Sequence, residues 1–202
     1  MSLTLYFVPQ TRATRPRWLL EELGVPYGLV QLDPAKGETR AAAYRKLHPL
    51  GHVPALVDGE QVLVESAALC MHLADRFPEK GLAPAPGSAD RGRYYQWILF
   101  AMTTVEPPLV TLFEARTGRR AHPPEALEAA RARLRDVAQV VESALGEAPF
   151  ILGDRFSAAD VVLGATLTWG LRMKELEGFP RVAAYAARLM DRPAAKVAFG
   201  GR

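Results

Sequence analysis

Cysteine is nearly absent from this sequence, since Cys70 is the only one in 202 residues. No internal disulfide can form, which favours a reducing, cytoplasmic compartment. A C-x-x-C pair is also missing, and this argues against a disulfide oxidoreductase. Cys70 follows Ala67 and Leu69 and precedes Leu73 in a segment of helical pattern, so we expect it to be a small core residue.

Long apolar runs and concentrated charge are lacking too. No stretch approaches 18 consecutive apolar residues, so no membrane-spanning helix is expected, and the N-terminus lacks the features of a signal peptide. The formal net charge is only +3 and the basic residues are spread along the chain, which argues against nucleic-acid binding. With 49% hydrophobic and 23% charged residues, the composition predicts a folded, water-soluble protein.

The first 80 residues alternate between strand signals and helix signals. β-rich apolar runs predict strands, and apolar residues at helical spacing predict helices. The predicted elements are strands over 3–8 and 27–33, helices over 14–24, 38–47 and 66–76, and a short hairpin at Asp58–Gly59. This βαβαββα order is that of a thioredoxin-like domain, with two parallel strands and an antiparallel hairpin.

Strand signals largely disappear in the second half of the chain. The proline- and glycine-rich residues 81–89 are predicted to be a linker, and helices are predicted over 90–117, 124–147, 157–175 and 179–191. Pro107–Pro108 is expected to kink or break the first of them. The predicted fold class is therefore α/β plus all-α: an N-terminal thioredoxin-like domain over 1–80 and a C-terminal helical bundle over 90–202.

The start of the helix predicted over 157–175 carries a capping-box pattern. Ser157 is placed at the N-cap, Asp160 lies three residues later, and Phe156 and Val161 flank them as a hydrophobic staple. We assign Ser157 and Asp160 to folding and not to chemistry.

The segment from His48 to Leu56 is the most informative stretch, together with Glu65–Ser66 at the next helix start. It resembles the N-P-x-G-x-V-P-x-L segment and the E-S pair of the cytosolic glutathione transferases, with His48 where asparagine is usual. The resemblance implies a cis bond before Pro54, although an ordinary proline before an edge strand fits the local sequence equally well. It covers nearly the whole chain, because an α/β half followed by an all-helical half is the plan of that family.

The resemblance implies that glutathione is bound as a substrate. The backbone of Val53, next to Pro54, would pair with the extended peptide. Ser66 at a helix N-terminus would bind a carboxylate, and Glu65 the amino group. His52 would reach the glycine end. The alternatives are plain helix capping for Glu65 and Ser66, and a surface loop histidine for His52.

Catalysis would also require the glutathione thiol to ionise. Thr11 falls where the serine-type classes of the family have their hydroxyl, and Tyr6 where the tyrosine-type classes have their phenol. Arg12 occupies the cysteine position of the bacterial cysteine-type class. Tyr6 also fits a buried strand aromatic, and Arg12, Arg15 and Arg17 a solvated helix face. We favour Thr11, because it lies in the loop directly before a helix N-terminus.

The resemblance also implies that the second substrate binds in a cleft lined by the first helix of the helical domain, to which we assign Met102 and Thr103. The resemblance implies a small, hydrophobic electrophile, a role in detoxification and a homodimer. No nucleic-acid or membrane partner is expected.

The predicted function is conjugation of glutathione thiolate to that electrophile. Two alternatives stay open: a non-catalytic protein that binds glutathione or carries ligands, and a protein-interaction module of the same fold. No metal is expected, because the histidines and the cysteine lack zinc-site spacing. These residues are His48, His52, Cys70 and His72.

Overall fold

The computed structural model describes residues 2–200, which form two compact units. Among these residues, the first unit contains 2–83 together with 191–200, and the second is Pro84–Met190. The division after Ala83 falls within the stretch 81–89. The units differ from the sequence-based boundaries at one end, because residues 191–200 pack with the first unit and not with the helical one.

Within the described residues, the first unit contains a mixed sheet of four strands. In chain order they are β1 (Leu3–Phe7), β2 (Gly28–Gln31), β3 (Ala55–Asp58) and β4 (Gln61–Val64). The spatial order is β2-β1-β3-β4, with β1 parallel to β2 and antiparallel to β3. β3 and β4 form a hairpin in which Asp58 pairs with Gln61, as the Asp58–Gly59 signal indicated. The predicted thioredoxin-like topology is confirmed.

The α-helices alternate with these strands and then make up the second unit. They are α1 (Thr14–Leu23), α2 (Ala42–Arg45), α3 (Ser66–Arg76), α4 (Ala89–Phe100), α5 (Glu106–Thr117), α6 (Pro124–Leu145), α7 (Ala158–Arg172), α8 (Pro180–Met190) and α9 (Pro193–Phe199). α1 and α3 pack against one another in the first unit, and the leucines of both helices are buried. Cys70 on α3 is fully buried among them, as expected of a small core residue.

The helix predicted over 38–47 is only partly present. A 3-10 turn covers Glu38–Arg40, Ala41 is extended, and α2 adds a single turn. Ala42 and Ala43 are exposed and only Tyr44 is buried in α2, so this segment has no apolar face that could stabilise a longer helix.

The helix α9 lies outside the predicted elements, and it packs on α1. The Phe199 ring lies edge-on to Trp18, with centroids 5.9 Å apart. Arg192 holds Glu22 of α1 with two hydrogen bonds of 2.6 and 2.7 Å. These contacts explain why the last residues belong to the first unit.

Pro107–Pro108 does not break the helix in which it lies. Both prolines are in the first turn of α5, and a π-helical segment, Ala101–Val105, connects α4 to α5. A proline has no N–H to donate, and local widening of the helix accommodates that loss without ending it. The predicted break is therefore wrong, because the helical stretch continues from α4 through the π-helical segment into α5.

The continuous helical stretch Ala89–Thr117 is long and apolar enough to cross a membrane, judged by length and composition only. The sequence-based expectation differed because it considered only uninterrupted apolar runs. A core helix of a folded protein meets the same criterion, and α4 packs against α7 with Tyr94, Trp97 and Ile98 buried. The stretch is therefore weak evidence for a membrane span.

The capping box at the start of α7 is confirmed. The Ser157 hydroxyl accepts a hydrogen bond from the Ala159 N–H, and the Asp160 carboxylate accepts one of 2.8 Å from the Ser157 N–H. Asp160 is completely buried, and it also accepts 2.8 Å hydrogen bonds from the Ile151 N–H and the Tyr185 hydroxyl. It therefore joins the loop before α7 and the helix α8 to the cap.

Candidate functional site

The strand register brings three loops to the same edge of the sheet. Tyr6 of β1 pairs with Ala55, and Ala55 pairs with Val64 of β4. The residues that follow β1, precede β3 and follow β4 therefore lie side by side. These segments contain the candidates Thr11 and Arg12, then His52, Val53 and Pro54, then Glu65 and Ser66. We call the edge of the sheet formed by these three segments the site edge.

The loop before β3 is tightly held. The Val53–Pro54 bond is cis, as the resemblance implied. The Tyr44 hydroxyl donates a 2.5 Å hydrogen bond to the carbonyl oxygen of His52. Gly51 has φ +66°, and a Cβ atom there would lie 2.6 Å from the Thr39 carbonyl oxygen. Only glycine fits this position without movement of the backbone.

His48 and His52 lie close to one another in this loop, with ring centroids 5.6 Å apart. His48 is buried, and its Nδ1 atom has no hydrogen-bond partner among the described residues. Burial and the neighbouring His52 lower the pKa of His48, against an opposing effect of Glu65. His72 instead bonds Asp58 at 2.9 Å, and residues 2–200 contain no group of side chains arranged to hold a metal ion.

Glu65 and Ser66 form the start of α3. Glu65 has φ +73°, which a non-glycine residue rarely adopts and which occurs preferentially at functional sites. Its side chain is exposed and does not cap the helix. Ser66 is only 2% exposed, and its Oγ accepts a 3.0 Å hydrogen bond from Nη1 of Arg15 on α1. The pair is therefore not the plain helix cap considered as an alternative.

The arginines of α1 do not form a solvated face. Arg12 is exposed, but Arg15 and Arg17 are each only 4% exposed, so the sequence-based alternative is wrong for these two. The Arg17 guanidinium stacks 5.0 Å from the centre of the Phe7 ring, and that of Arg15 reaches Ser66. A planar, weakly hydrated guanidinium suits both contacts. Sequence reasoning missed the link from Arg15, because its partner lies 51 residues away.

Thr11 lies in the loop directly before α1, and its side chain is exposed. Its hydroxyl donates a 2.7 Å hydrogen bond to the Val8 carbonyl oxygen and accepts one of 3.2 Å from the Ala13 N–H. To donate to a ligand, the hydroxyl must turn its proton away from Val8. A hydroxyl has one proton and rotates freely enough to do so.

Tyr6 points to the other face of the sheet from α1. Phe7 contacts Arg17 of α1, and successive strand residues point to opposite faces. The Tyr6 ring instead packs 5.7 Å from that of Tyr44 on α2. Tyr6 is half-buried, so it is not the buried strand aromatic considered as an alternative.

Met102 and Thr103 lie in the π-helical segment of the second unit. Met102 is half-buried, and Thr103 is exposed with its hydroxyl donating to the Leu99 carbonyl oxygen at 2.9 Å. Such π-helical turns occur frequently at functional sites. Their assignment to a substrate cleft stays a prediction.

Comparisons with known proteins identify the family of the chain. Residues 1–75 match the family model of the glutathione S-transferase N-terminal domain, and residues 124–188 that of the glutathione S-transferase C-terminal domain. The chain is 31% identical to the glutathione S-transferase GstA of Escherichia coli O157:H7, over 94% of this chain and 93% of the relative. It is 25% identical to the disulfide-bond oxidoreductase YfcG of Escherichia coli K12, over 94% of this chain and 91% of that one.

A solved structure of a sphingomonad glutathione S-transferase complexed with glutathione is also similar. Its TM-score is 0.85 at 29% identity, over 98% of this chain and 97% of that one. Fold, domain order and sequence therefore point to the same family.

Proposed function

We infer that this chain, which belongs to the cytosolic glutathione S-transferase superfamily, conjugates the thiolate of glutathione to a small, hydrophobic electrophile. In this reaction the sulfur forms a bond to the electrophilic carbon. The leaving group departs with the electron pair of the broken bond, and the thiol proton passes to solvent. The protein supplies binding, orientation and stabilisation of the thiolate.

The observation that carries this proposal is the arrangement of Val53, Glu65 and Ser66 at the site edge. The backbone of Val53 can pair with an extended tripeptide, as a strand added to a sheet edge does. Ser66 offers its hydroxyl at the N-terminus of α3, where unpaired N–H groups favour a carboxylate. The exposed Glu65 side chain can hold an ammonium group. His52, also exposed, would reach the glycine end.

Thiolate formation is assigned to Thr11, with help from the N-terminus of α1 and the cation of Arg12. A free thiol has a pKa near 8.5, and lowering it by two units takes about 2.7 kcal/mol of preferential stabilisation. One hydrogen bond to a charged group contributes about 1.5–3 kcal/mol. A rotated Thr11 hydroxyl supplies a bond of that kind.

The first test is on binding. Ser66→Ala is expected to weaken glutathione binding by about 1–2 kcal/mol, the scale of a lost hydrogen bond to a charged group. Isothermal titration calorimetry measures this change. Ser88→Ala is the control, because Ser88 is exposed and its side chain makes no capping hydrogen bond. Equal affinities of wild type and Ser66→Ala would remove Ser66 from the site.

The second test separates the two hydroxyl candidates. Thr11→Ala is expected to raise the pKa of bound glutathione and to lower turnover about tenfold, equivalent to about 1.4 kcal/mol. Tyr6→Phe is expected to change neither, because Tyr6 lies on the other face of the sheet. Ultraviolet absorbance of the bound thiolate against pH gives the pKa. The reverse pattern would assign the protein to the tyrosine type, and no change in either variant would leave backbone N–H groups or Arg12 as activators.

A non-catalytic glutathione-binding protein is the second candidate. It is favoured by the hydrogen bond from the Thr11 hydroxyl to Val8, since a binding protein needs no thiolate donor. An unshifted pKa of bound glutathione would support it.

The proposal of an enzyme has four further parts. We propose that the protein forms a homodimer, is located in the cytoplasm, has a role in detoxification and binds its second substrate in a cleft at Met102 and Thr103.

A further inference from the structure

Arg15 and Ser66 form a buried contact between two helices. The guanidinium Nη1 of Arg15 donates to the Ser66 Oγ at 3.0 Å, and the two residues are 4% and 2% exposed. Arg15 is in the first turn of α1 and Ser66 is the first residue of α3. The contact therefore joins the two helix N-termini that the proposed function uses, one for the thiol and one for the carboxylate.

This contact determines what the Ser66 hydroxyl can do. A serine hydroxyl has one proton to donate and two lone pairs that accept, whereas arginine only donates. The bond from Arg15 therefore occupies a lone pair and leaves the proton of Ser66 unused. Within residues 2–200 it is the only hydrogen bond of this hydroxyl. The proton is therefore available to an acceptor that arrives with a ligand.

The positive charge of Arg15 also acts on groups close to Ser66. Burial raises the pKa of the Cys70 thiol, one turn further along α3, to about 12, and the positive charge of Arg15 opposes that rise. The thiol therefore stays neutral at physiological pH. Arg15 and the N-terminus of α3 act in the same direction, since both favour negative charge next to Ser66.

We propose that Arg15 is a positioning residue for ligand recognition, which fixes the Ser66 hydroxyl as a donor to the carboxylate of the γ-glutamyl group. Arg15 acts through Ser66 and does not touch the ligand. The inference rests on the proposed function, because it assumes that glutathione is bound at this site. Its consequence is that Arg15 contributes to selectivity for the carboxylate and not merely to the packing of α1 against α3.

The test compares three ligands by calorimetry. Glutathione has the γ-glutamyl carboxylate and amino group, 4-aminobutanoyl-cysteinyl-glycine lacks the carboxylate, and glutaryl-cysteinyl-glycine lacks the amino group. Wild type is expected to bind glutathione between about tenfold and a hundredfold more tightly than the analogue without the carboxylate. Arg15→Met is expected to reduce this ratio about tenfold. The same variant should leave unchanged the ratio between the affinity for glutathione and the affinity for the analogue without the amino group.

Two further variants separate positioning from packing. Arg17→Met is the matched control, since Arg17 is an equally buried arginine of α1 that contacts Phe7, and it should preserve both ratios. Arg15→Lys keeps the charge without the planar guanidinium, and it decides the question if Arg15→Met does not fold. In a Ser66→Ala background, Arg15→Lys should cause no further loss of carboxylate selectivity.

The outcomes distinguish the two proposals. If wild type binds none of the three ligands, the proposed function is wrong and this inference is wrong with it. If wild type selects for the carboxylate and Arg15→Lys or Arg15→Met selects equally well, the inference alone is overturned. An equal loss of affinity for all three ligands would likewise overturn it, because that is the result of a packing role.

Discussion

Replacement of Asp160 by alanine is expected to lower the free energy of unfolding by about 4 kcal/mol, because the substitution breaks a buried hydrogen-bond network. As an N-terminal cap alone, Asp160 would contribute only about 0.5–2 kcal/mol. The structure adds partners outside the cap, because the Ile151 N–H and the Tyr185 hydroxyl donate to the same carboxylate.

The reason for the large effect is that the donors stay buried after the carboxylate is removed. Each unsatisfied buried donor destabilises the protein by about 1–3 kcal/mol. Burial raises the pKa of Asp160, and hydrogen bonds from Ile151, Tyr185 and Ser157 oppose this rise. The Tyr185 phenol remains a protonated donor, since burial and Asp160 raise its pKa well above the usual value.

Urea unfolding followed by tryptophan fluorescence measures this change. Asp154→Ala is the matched control, because the exposed Asp154 lies six residues earlier and its loss should change stability by less than about 0.5 kcal/mol. Tyr185→Phe removes one hydrogen bond and should have an intermediate effect of about 1 kcal/mol. Glutathione affinity per folded molecule should be unchanged, since Asp160 is not at the site edge. A destabilisation below about 1 kcal/mol would contradict the network.

Local patterns in the sequence predict most of the secondary structure but not the partners of buried polar groups. The β-rich apolar run of β1, the hairpin at Asp58–Gly59 and the capping box at Ser157 each depend on neighbours within a few residues, and all three elements are present. The hydrogen bond from Tyr185 to Asp160 spans 25 residues, and no local pattern marks it.

The candidate site shows the same division. The resemblance indicated the segments that meet at the site edge, whereas the register of β1, β3 and β4 determines that they meet. The arginines at the start of α1 were expected to form a solvated helix face, because arginines are usually exposed. The burial of Arg15 and Arg17 follows from contacts with Ser66 and Phe7 in other elements. The face of the sheet on which the Tyr6 side chain lies likewise depends on the position of α1, which local sequence does not give.

Replacement of Gly51 by alanine is the second large effect that we expect, and it concerns the site itself. The residue has φ +66°, where a Cβ atom destabilises the backbone by about 1–2 kcal/mol. The new Cβ would also lie 2.6 Å from the Thr39 carbonyl oxygen, so the backbone must move, at a further cost of about 1–3 kcal/mol. We expect a total destabilisation of about 3 kcal/mol and weaker glutathione binding, because His52 follows directly.

Gly59→Ala is the control for the backbone conformation alone. Gly59 has φ +60°, and a Cβ atom at this residue would have no neighbour within 4 Å. Its replacement should therefore destabilise by only about 1–2 kcal/mol and leave glutathione affinity unchanged. Urea unfolding measures the stability of both variants, and calorimetry measures their affinity for glutathione. Together they separate backbone strain from displacement of the loop. Equal stability losses in the two variants would show that the contact with Thr39 does not matter. Unchanged glutathione affinity in Gly51→Ala would show that the position of His52, Val53 and Pro54 does not determine binding.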